Sequence, residues 1–205
     1  DYNSLSSAET IPLQNAYNPR GDYGPSEFDV RNRFVVSGFY ELPFKSNRLV
    51  SGWQMGIVSQ AQSGSPLTPL LVAAVGPGVN LTVRPDVTGP VRVTGSPFQW
   101  FASKSVFQSP CTGPSACHPG DMQRDSVSGP DFVNTDFNIT KDTKITERVT
   151  LQFRTEFFDI FNHPNFGNPN TTTTSSTFGQ ITSTRFPAGD FGSAREIQFA
   201  MKLMF

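Results

Sequence analysis

The stretch Val149-Thr150-Leu151-Gln152-Phe153-Arg154-Thr155-Glu156-Phe157 alternates between mostly apolar and polar residues. Because successive side chains of a β-strand point to opposite faces, this period of two predicts a strand with one apolar and one polar face. The same alternation recurs four more times, whereas the helical period is nearly absent. The pattern predicts an all-β fold, an antiparallel meander with strands near residues 30–42, 53–62, 132–141, 148–160 and 195–205.

The connections between these strands are very unequal in length. Short turns join the first strand to the second and the third to the fourth, whereas residues 1–27, 63–131 and 161–194 form long loops. The middle loop is rich in Gly and Pro and is expected to hold at most short β pieces near 80–84 and 91–94. Loops of this length are uncommon in compact soluble domains. Short turns on one side and long surface loops on the other are typical of a transmembrane β-barrel.

The composition excludes several classes of protein. The 205 residues carry 16 Lys and Arg against 17 Asp and Glu, with no basic cluster that could follow a nucleic-acid backbone. The longest aliphatic run, residues 70–75, is far shorter than a membrane-spanning helix. With only two His and no Gly-x-Ser-x-Gly motif, acid–base catalysis has few candidate residues. We expect no enzymatic activity, no cofactor, no metal and no nucleic-acid partner.

Alternation by itself fits both a soluble β-sandwich and a membrane barrel. Three features favour the barrel: polar faces made mainly of Gln, Asn, Thr and Ser, strands long enough to cross a bilayer, and aromatic residues such as Trp53 and Phe157 at strand ends. Five strands are too few to close a barrel, so we expect the chain to be the C-terminal part of a larger one. The alternative is a secreted or surface-attached β-sandwich for adhesion or glycan binding.

In the barrel interpretation the two faces of each strand have different surroundings. The polar face is expected to line the lumen, with candidates Gln152, Arg154, Glu156, Glu196, Gln198 and Lys202. The apolar face is expected to meet lipid through Phe137, Leu151, Phe153, Phe199, Met201 and Leu203. The charged residues of the polar face have a second interpretation, which is charge pairing between neighbouring strands.

The two cysteines of the chain, Cys111 and Cys117, lie six positions apart among Gly and Pro residues. A disulfide that closes a loop in an oxidising compartment is the expected state. His118 follows directly, but the spacing fits no zinc pattern, so a Cys/Cys/His metal site is the less favoured interpretation.

Several runs of the sequence resemble a known family. The most specific is Ile145-Thr146-Glu147-Arg148 followed by Leu151-Gln152-Phe153-Arg154-Thr155-Glu156-Phe157-Phe158-Asp159-Ile160-Phe161-Asn162-His163-Pro164-Asn165-Phe166-Gly167, which begins before the alternating stretch quoted above and continues past it. Residues 24–34, 40–44, 52–54, 62–66 and 195–205 add further matches. Together they resemble the C-terminal barrel segment of Oar-like TonB-dependent receptors, outer-membrane proteins with a carboxypeptidase-regulatory-like domain. The chain departs from the family pattern at Asn32, where His is commoner, and in the insert that contains the cysteines.

The resemblance implies a location, a function and a set of partners. It implies the outer membrane of a Gram-negative-type bacterium, a barrel of about 22 strands, and binding and import of a scarce solute. The implied partners are the remaining strands and plug of the same protein, the TonB system through the N-terminal part, the outer-membrane assembly machinery, lipid and an unknown solute. The plug and N-terminal domains precede the barrel in the family and are not expected within residues 1–205. Phe205, at the end of the terminal aromatic strand, is implied to be the assembly signal.

Overall fold

The computed structural model of the chain describes residues 14–15, 17–44, 46–76, 79–113, 116–185 and 194–205, with the backbone alone for 74–76 and 79–81. These residues form one short 3-10 turn, Pro19–Asp22, and 13 β-strands. The strands are β1 (Arg33–Glu41), β2 (Trp53–Gln62), β3 (Pro66–Leu67), β4 (Leu71–Gly76), β5 (Val79–Val83), β6 (Asp86–Val87), β7 (Val93–Ser96), β8 (Gln99–Phe101), β9 (Phe107–Gln108), β10 (Val127–Ser128), β11 (Phe132–Lys144), β12 (Thr150–Phe158) and β13 (Glu196–Met204).

The five long strands form one antiparallel sheet in the order β1-β2-β11-β12-β13. Each long strand is therefore hydrogen-bonded to the next long strand along the chain, which confirms the predicted all-β antiparallel meander. Within the described residues the sheet is open, because β1 and β13 each pair with a long strand on one side and are the outer strands of the sheet.

The strand ends differ slightly from the predicted positions. The third long strand was predicted near 132–141, but β11 continues to Lys144 because residues 142–144 pair with the start of β12. The turn between them is correspondingly tight and is closed by a bond from the Ile145 N–H to the Val149 carbonyl at 2.8 Å. β12 ends at Phe158 because Asp159 takes a positive φ of 46° and its N–H turns away to a side chain.

The long connections are more structured than the sequence predicts. The described parts of residues 1–30, 64–130 and 167–182 form a compact unit of their own, here called the loop unit. Its eight short strands pair as β3 with β10, β4 with β5, β6 with β9, and β7 with β8. The short β pieces expected near 80–84 and 91–94 correspond to β5 and β7, but the other six strands were not expected.

The loop unit has its own hydrophobic core. Phe101 and Phe178 stack with ring centroids 4.7 Å apart, and the ring of Phe107 meets both of them edge-on. Other core residues are Trp100, Met122 and Val127. A buried ion pair, Arg84 to Asp22 at 2.6 Å, joins two distant segments of the same unit. Burial of these aromatic rings explains how segments with so little regular structure fold compactly.

Candidate functional site

The register of the five-stranded sheet sorts its side chains onto two faces. Residues directly opposite each other in an antiparallel pair share a face. One row runs across all five strands through Phe39, Gly56, Asn138, Glu156 and Gln198. The structure brings the six polar candidates of β12 and β13 onto this same face, here called the polar face, namely Gln152, Arg154, Glu156, Glu196, Gln198 and Lys202.

The opposite face, here called the apolar face, carries the six residues predicted to meet lipid. Phe153 lies opposite Met201, Leu151 lies opposite Leu203, and Phe137 and Phe199 share the face through their own pairs. The three candidates on β13 are unusually open for residues of this type, since Phe199 is 68% exposed and Met201 is 70% exposed, whereas the other three are half-buried. A continuous apolar surface of this kind is costly in water but not in hydrocarbon.

The polar face is linked by side-chain hydrogen bonds. Gln152 Nε2 donates to Asp142 Oδ1 at 2.9 Å, which joins β12 to β11. Gln54 Nε2 donates to Glu41 Oε1 at 3.3 Å and joins β2 to β1. Amides and carboxylates therefore satisfy one another across strands, and the face is suited to polar solutes and water.

The charged residues of the polar face were also interpreted above as charge pairs between neighbouring strands, and the structure shows a different pairing. Among the described residues, Arg154 and Glu156 form an ion pair at 3.3 Å, but both lie on β12, two positions apart. Lys202 lies opposite Gln152 and Glu196 lies opposite Phe158. The register therefore places no opposite charges directly across the β12–β13 pair.

Lys141 is a residue whose role the sequence reasoning missed. It lies on the apolar face, opposite Trp53 and Phe153, yet it is only 8% exposed. Its Nζ donates to the carbonyls of Arg48, at 2.9 Å, and Ser51, and it lies 5.6 Å from the centre of the Trp53 ring. The sequence did contain a sign of this position. The odd-numbered residues of β11 lie on the apolar face, so the alternation places Lys141 there as well.

A polar cluster occupies the opposite end of the sheet, where β11 begins and β12 ends. Asp136 Oδ1 accepts two hydrogen bonds, from Asn134 Nδ2 at 2.9 Å and from the Asp159 N–H at 3.0 Å. Asp159 is 1% exposed, and its Oδ1 accepts the His163 N–H at 3.1 Å. Asp159 belongs to the run that resembles a known family, but nothing in the pattern of that run indicates that its side chain is buried.

The loop unit contains a cleft of about 300 Å³ lined by residues that include Glu27, Phe28, Thr68 and Asp125. Asp125 is buried and exchanges two hydrogen bonds with Thr68, at 2.9 and 2.7 Å. Burial of Glu27, and secondarily the negative charge of Asp125, raise the pKa of the Glu27 carboxyl above its ordinary value.

In the loop unit, Cys111 and Cys117 form a disulfide. The side chain of His118 faces another residue, with its Nε2 2.8 Å from Asp86 Oδ2. Across the described ranges, no group of three or more His, Cys, Asp or Glu side chains is arranged to hold a metal ion. The part of the chain that the structure describes also contains no helix long and apolar enough to cross a membrane.

A comparison with protein families matches residues 1–198 to an outer membrane beta barrel domain. The comparison with curated proteins and the comparison with solved structures each gave no match. The family match agrees with the two-faced antiparallel sheet and assigns the protein to the outer membrane of a Gram-negative-type bacterium. Because the match extends over most of its length, the chain belongs to the outer membrane beta barrel domain family.

Proposed function

We propose that the chain is part of a TonB-dependent outer-membrane receptor of the Oar-like type, which binds and imports a scarce solute. The observation that carries the proposal is the five-stranded sheet itself, whose register separates a hydrogen-bonded polar face from an exposed apolar face. Such a sheet fits the wall of a barrel that has lipid outside and a hydrated interior. The resemblance of residues 24–34 and 151–167 to Oar-like receptors supports the narrower assignment.

In this proposal the polar face lines the lumen and meets the plug or the passing solute. Its amides offer both donors and acceptors, and its charges are of both signs and spread over several strands, so a hydrophilic solute or a polar plug surface can exchange water for protein groups. The apolar face is in contact with lipid. Residues 64–130 and 167–182 of the loop unit follow β2 and β12 along the chain, and in this proposal the connections that they belong to lie on the cell exterior.

The proposal requires partners beyond residues 1–205. A closed barrel needs further strands beside β1 and β13, since unpaired backbone groups cannot face lipid. A plug and a TonB-contacting segment of the same protein would couple import to the inner membrane, and the assembly machinery would recognise the strand that ends in Phe205. The protein performs no covalent chemistry, and it binds no nucleic acid.

The experiment compares three strains of the bacterium that produces the protein: wild type, a strain without the gene, and a strain without TonB. Each grows in the same complex medium, and the solutes left in the medium are measured by mass spectrometry. We expect at least one solute to be consumed by wild type and left behind by both deletion strains. If the gene deletion leaves solute consumption unchanged and instead reduces attachment to surfaces or glycans, adhesion replaces import as the function.

A further inference from the structure

Two buried oxygen atoms at the exterior end of the polar face are without hydrogen-bond partners among the described residues. They are Oδ2 of Asp159 and Oδ1 of Asn134. A buried oxygen without a partner costs free energy, and the cost is larger for a carboxylate than for an amide. Asp159 is 1% exposed, so bulk water does not meet this need.

The residues that carry these two oxygens both contact a third side chain, that of Asp136. The amide nitrogen of Asn134 and the main-chain nitrogen of Asp159 both donate to the same atom, Asp136 Oδ1, at 2.9 and 3.0 Å. Asp136 therefore joins the side chain of Asn134 to the main chain of Asp159 where β11 begins and β12 ends.

The negative charge of this cluster is uncompensated by the residues that the structure describes. Neither Asp136 nor Asp159 forms an ion pair there, although both are carboxylates and Asp159 is buried. Two neighbouring carboxylates repel each other, and a cation between them removes the repulsion and supplies the missing partners.

We infer that Asn134, Asp136 and Asp159 form a binding site for a divalent cation of the calcium type. Carboxylate and amide oxygens are ligands that Ca²⁺ takes, and it completes a coordination number of 6–8 with carbonyl oxygens and water. A donor set without Cys or His is unsuited to zinc. The ion would fix the bend at Asp159, where φ is positive, and so fix the start of the long connection from β12 to β13.

The test uses the complete protein that contains this chain, refolded in detergent without outer-membrane lipids, whose phosphates would themselves bind calcium. Titration with CaCl₂ is followed by calorimetry, and the thermal unfolding midpoint is measured in CaCl₂ and in EDTA. We expect saturable binding and a higher midpoint in calcium. We expect Asp159→Asn and Asp136→Asn to weaken binding by about tenfold or more.

Asp142→Asn is the matched control, because Asp142 lies on the same strand and the same face but its Oδ1 already accepts from Gln152. It should bind calcium as wild type does. Asn134→Asp, which adds a third carboxylate, should bind calcium more tightly. Absence of calcium binding by wild type overturns the inference whether or not the variants fold, and so does unchanged binding by a folded Asp159→Asn variant.

Discussion

Lys141 shows how a charged residue can stand on the apolar face of a membrane sheet. It lies directly opposite Trp53 and Phe153 in the sheet, and its ammonium group reaches the carbonyls of the turn that connects β1 to β2. Long basic side chains near a membrane interface commonly extend their charge toward the polar side in this way. Lys141 therefore ties the β1–β2 turn to β11.

We expect Lys141→Met to lower the free energy of unfolding by about 2 kcal/mol, because it removes charge-assisted hydrogen bonds to carbonyls that stay poorly solvated. The measurement is urea unfolding of the refolded protein, followed by tryptophan fluorescence. Lys144→Met is the control, since Lys144 is exposed in the same strand. An equal loss in the two variants would show that the carbonyl contacts of Lys141 contribute nothing specific.

Glu27 gives a pH dependence at the residue scale. Its pKa is raised in the folded state by burial and then by Asp125, so the folded protein binds this proton more tightly than the unfolded chain. The resulting stabilisation is present in full below the ordinary pKa of 4.5 and is lost as the pH rises through the raised pKa.

We therefore expect Glu27→Gln to resist protease better than wild type near neutral pH and to match wild type in acid of about pH 4. The measurement is the rate of limited proteolysis within residues 64–130 as a function of pH. Asp29→Asn, at an exposed position of the same segment, controls for the loss of one negative charge. A gap between wild type and Glu27→Gln that widens on acidification would contradict the assigned direction of the pKa.

At the scale of elements, the sequence predicts the long strands well and the loop unit poorly. A strand with one apolar face repeats every two residues, and slipping the register by one would move every side chain to the wrong face, so the pattern and the pairing fix each other. The core of the loop unit is assembled from residues as far apart as Trp100 and Phe178, which share no period. Their contacts depend on the path of the whole segment.

One part of the candidate site can be predicted from the sequence and another part cannot. The six polar and six apolar candidates lie on separate faces because strand alternation sets the face of a residue from its position alone. The cluster of Asn134, Asp136 and Asp159 required the positive φ at Asp159, a local departure from the strand that the alternation does not encode.

An arginine introduced on the apolar face should destabilise the protein far more than an arginine introduced on the polar face. Phe153→Arg should cost up to about 2–4 kcal/mol of folding free energy in lipid, the range for a midplane position, because it places a charge on the face that contacts hydrocarbon. Gln152→Arg should cost far less, since its neighbour on the polar face is Asp142. The measurement is the free energy of unfolding of each variant after refolding into lipid vesicles. Equal costs at the two positions would contradict the assignment of faces.

At the scale of the whole molecule, a change at Phe205 can distinguish an effect on membrane assembly from an effect on folding stability. Its side chain is 96% exposed, so its loss removes little packing. In the proposal the assembly machinery recognises the terminal strand together with Phe205. Deletion of Phe205 should therefore strongly lower the amount of complete protein in the outer membrane, whereas Phe205→Tyr should lower it slightly. Immunoblots of outer-membrane fractions measure this, and wild-type levels of the deletion variant would remove the assembly role.

The central claim is that the five-stranded sheet stands in a membrane with its apolar face toward lipid and its polar face toward water. The most direct measurement places a nitroxide spin label at Phe199→Cys or at Gln198→Cys, adjacent positions of β13 that lie on opposite faces. The protein is reconstituted in lipid vesicles, and collisions with oxygen and with a water-soluble nickel complex are measured. We predict that the label at position 199 collides mainly with oxygen and the label at position 198 mainly with the nickel complex. Equal access of the nickel complex to both positions would contradict the account.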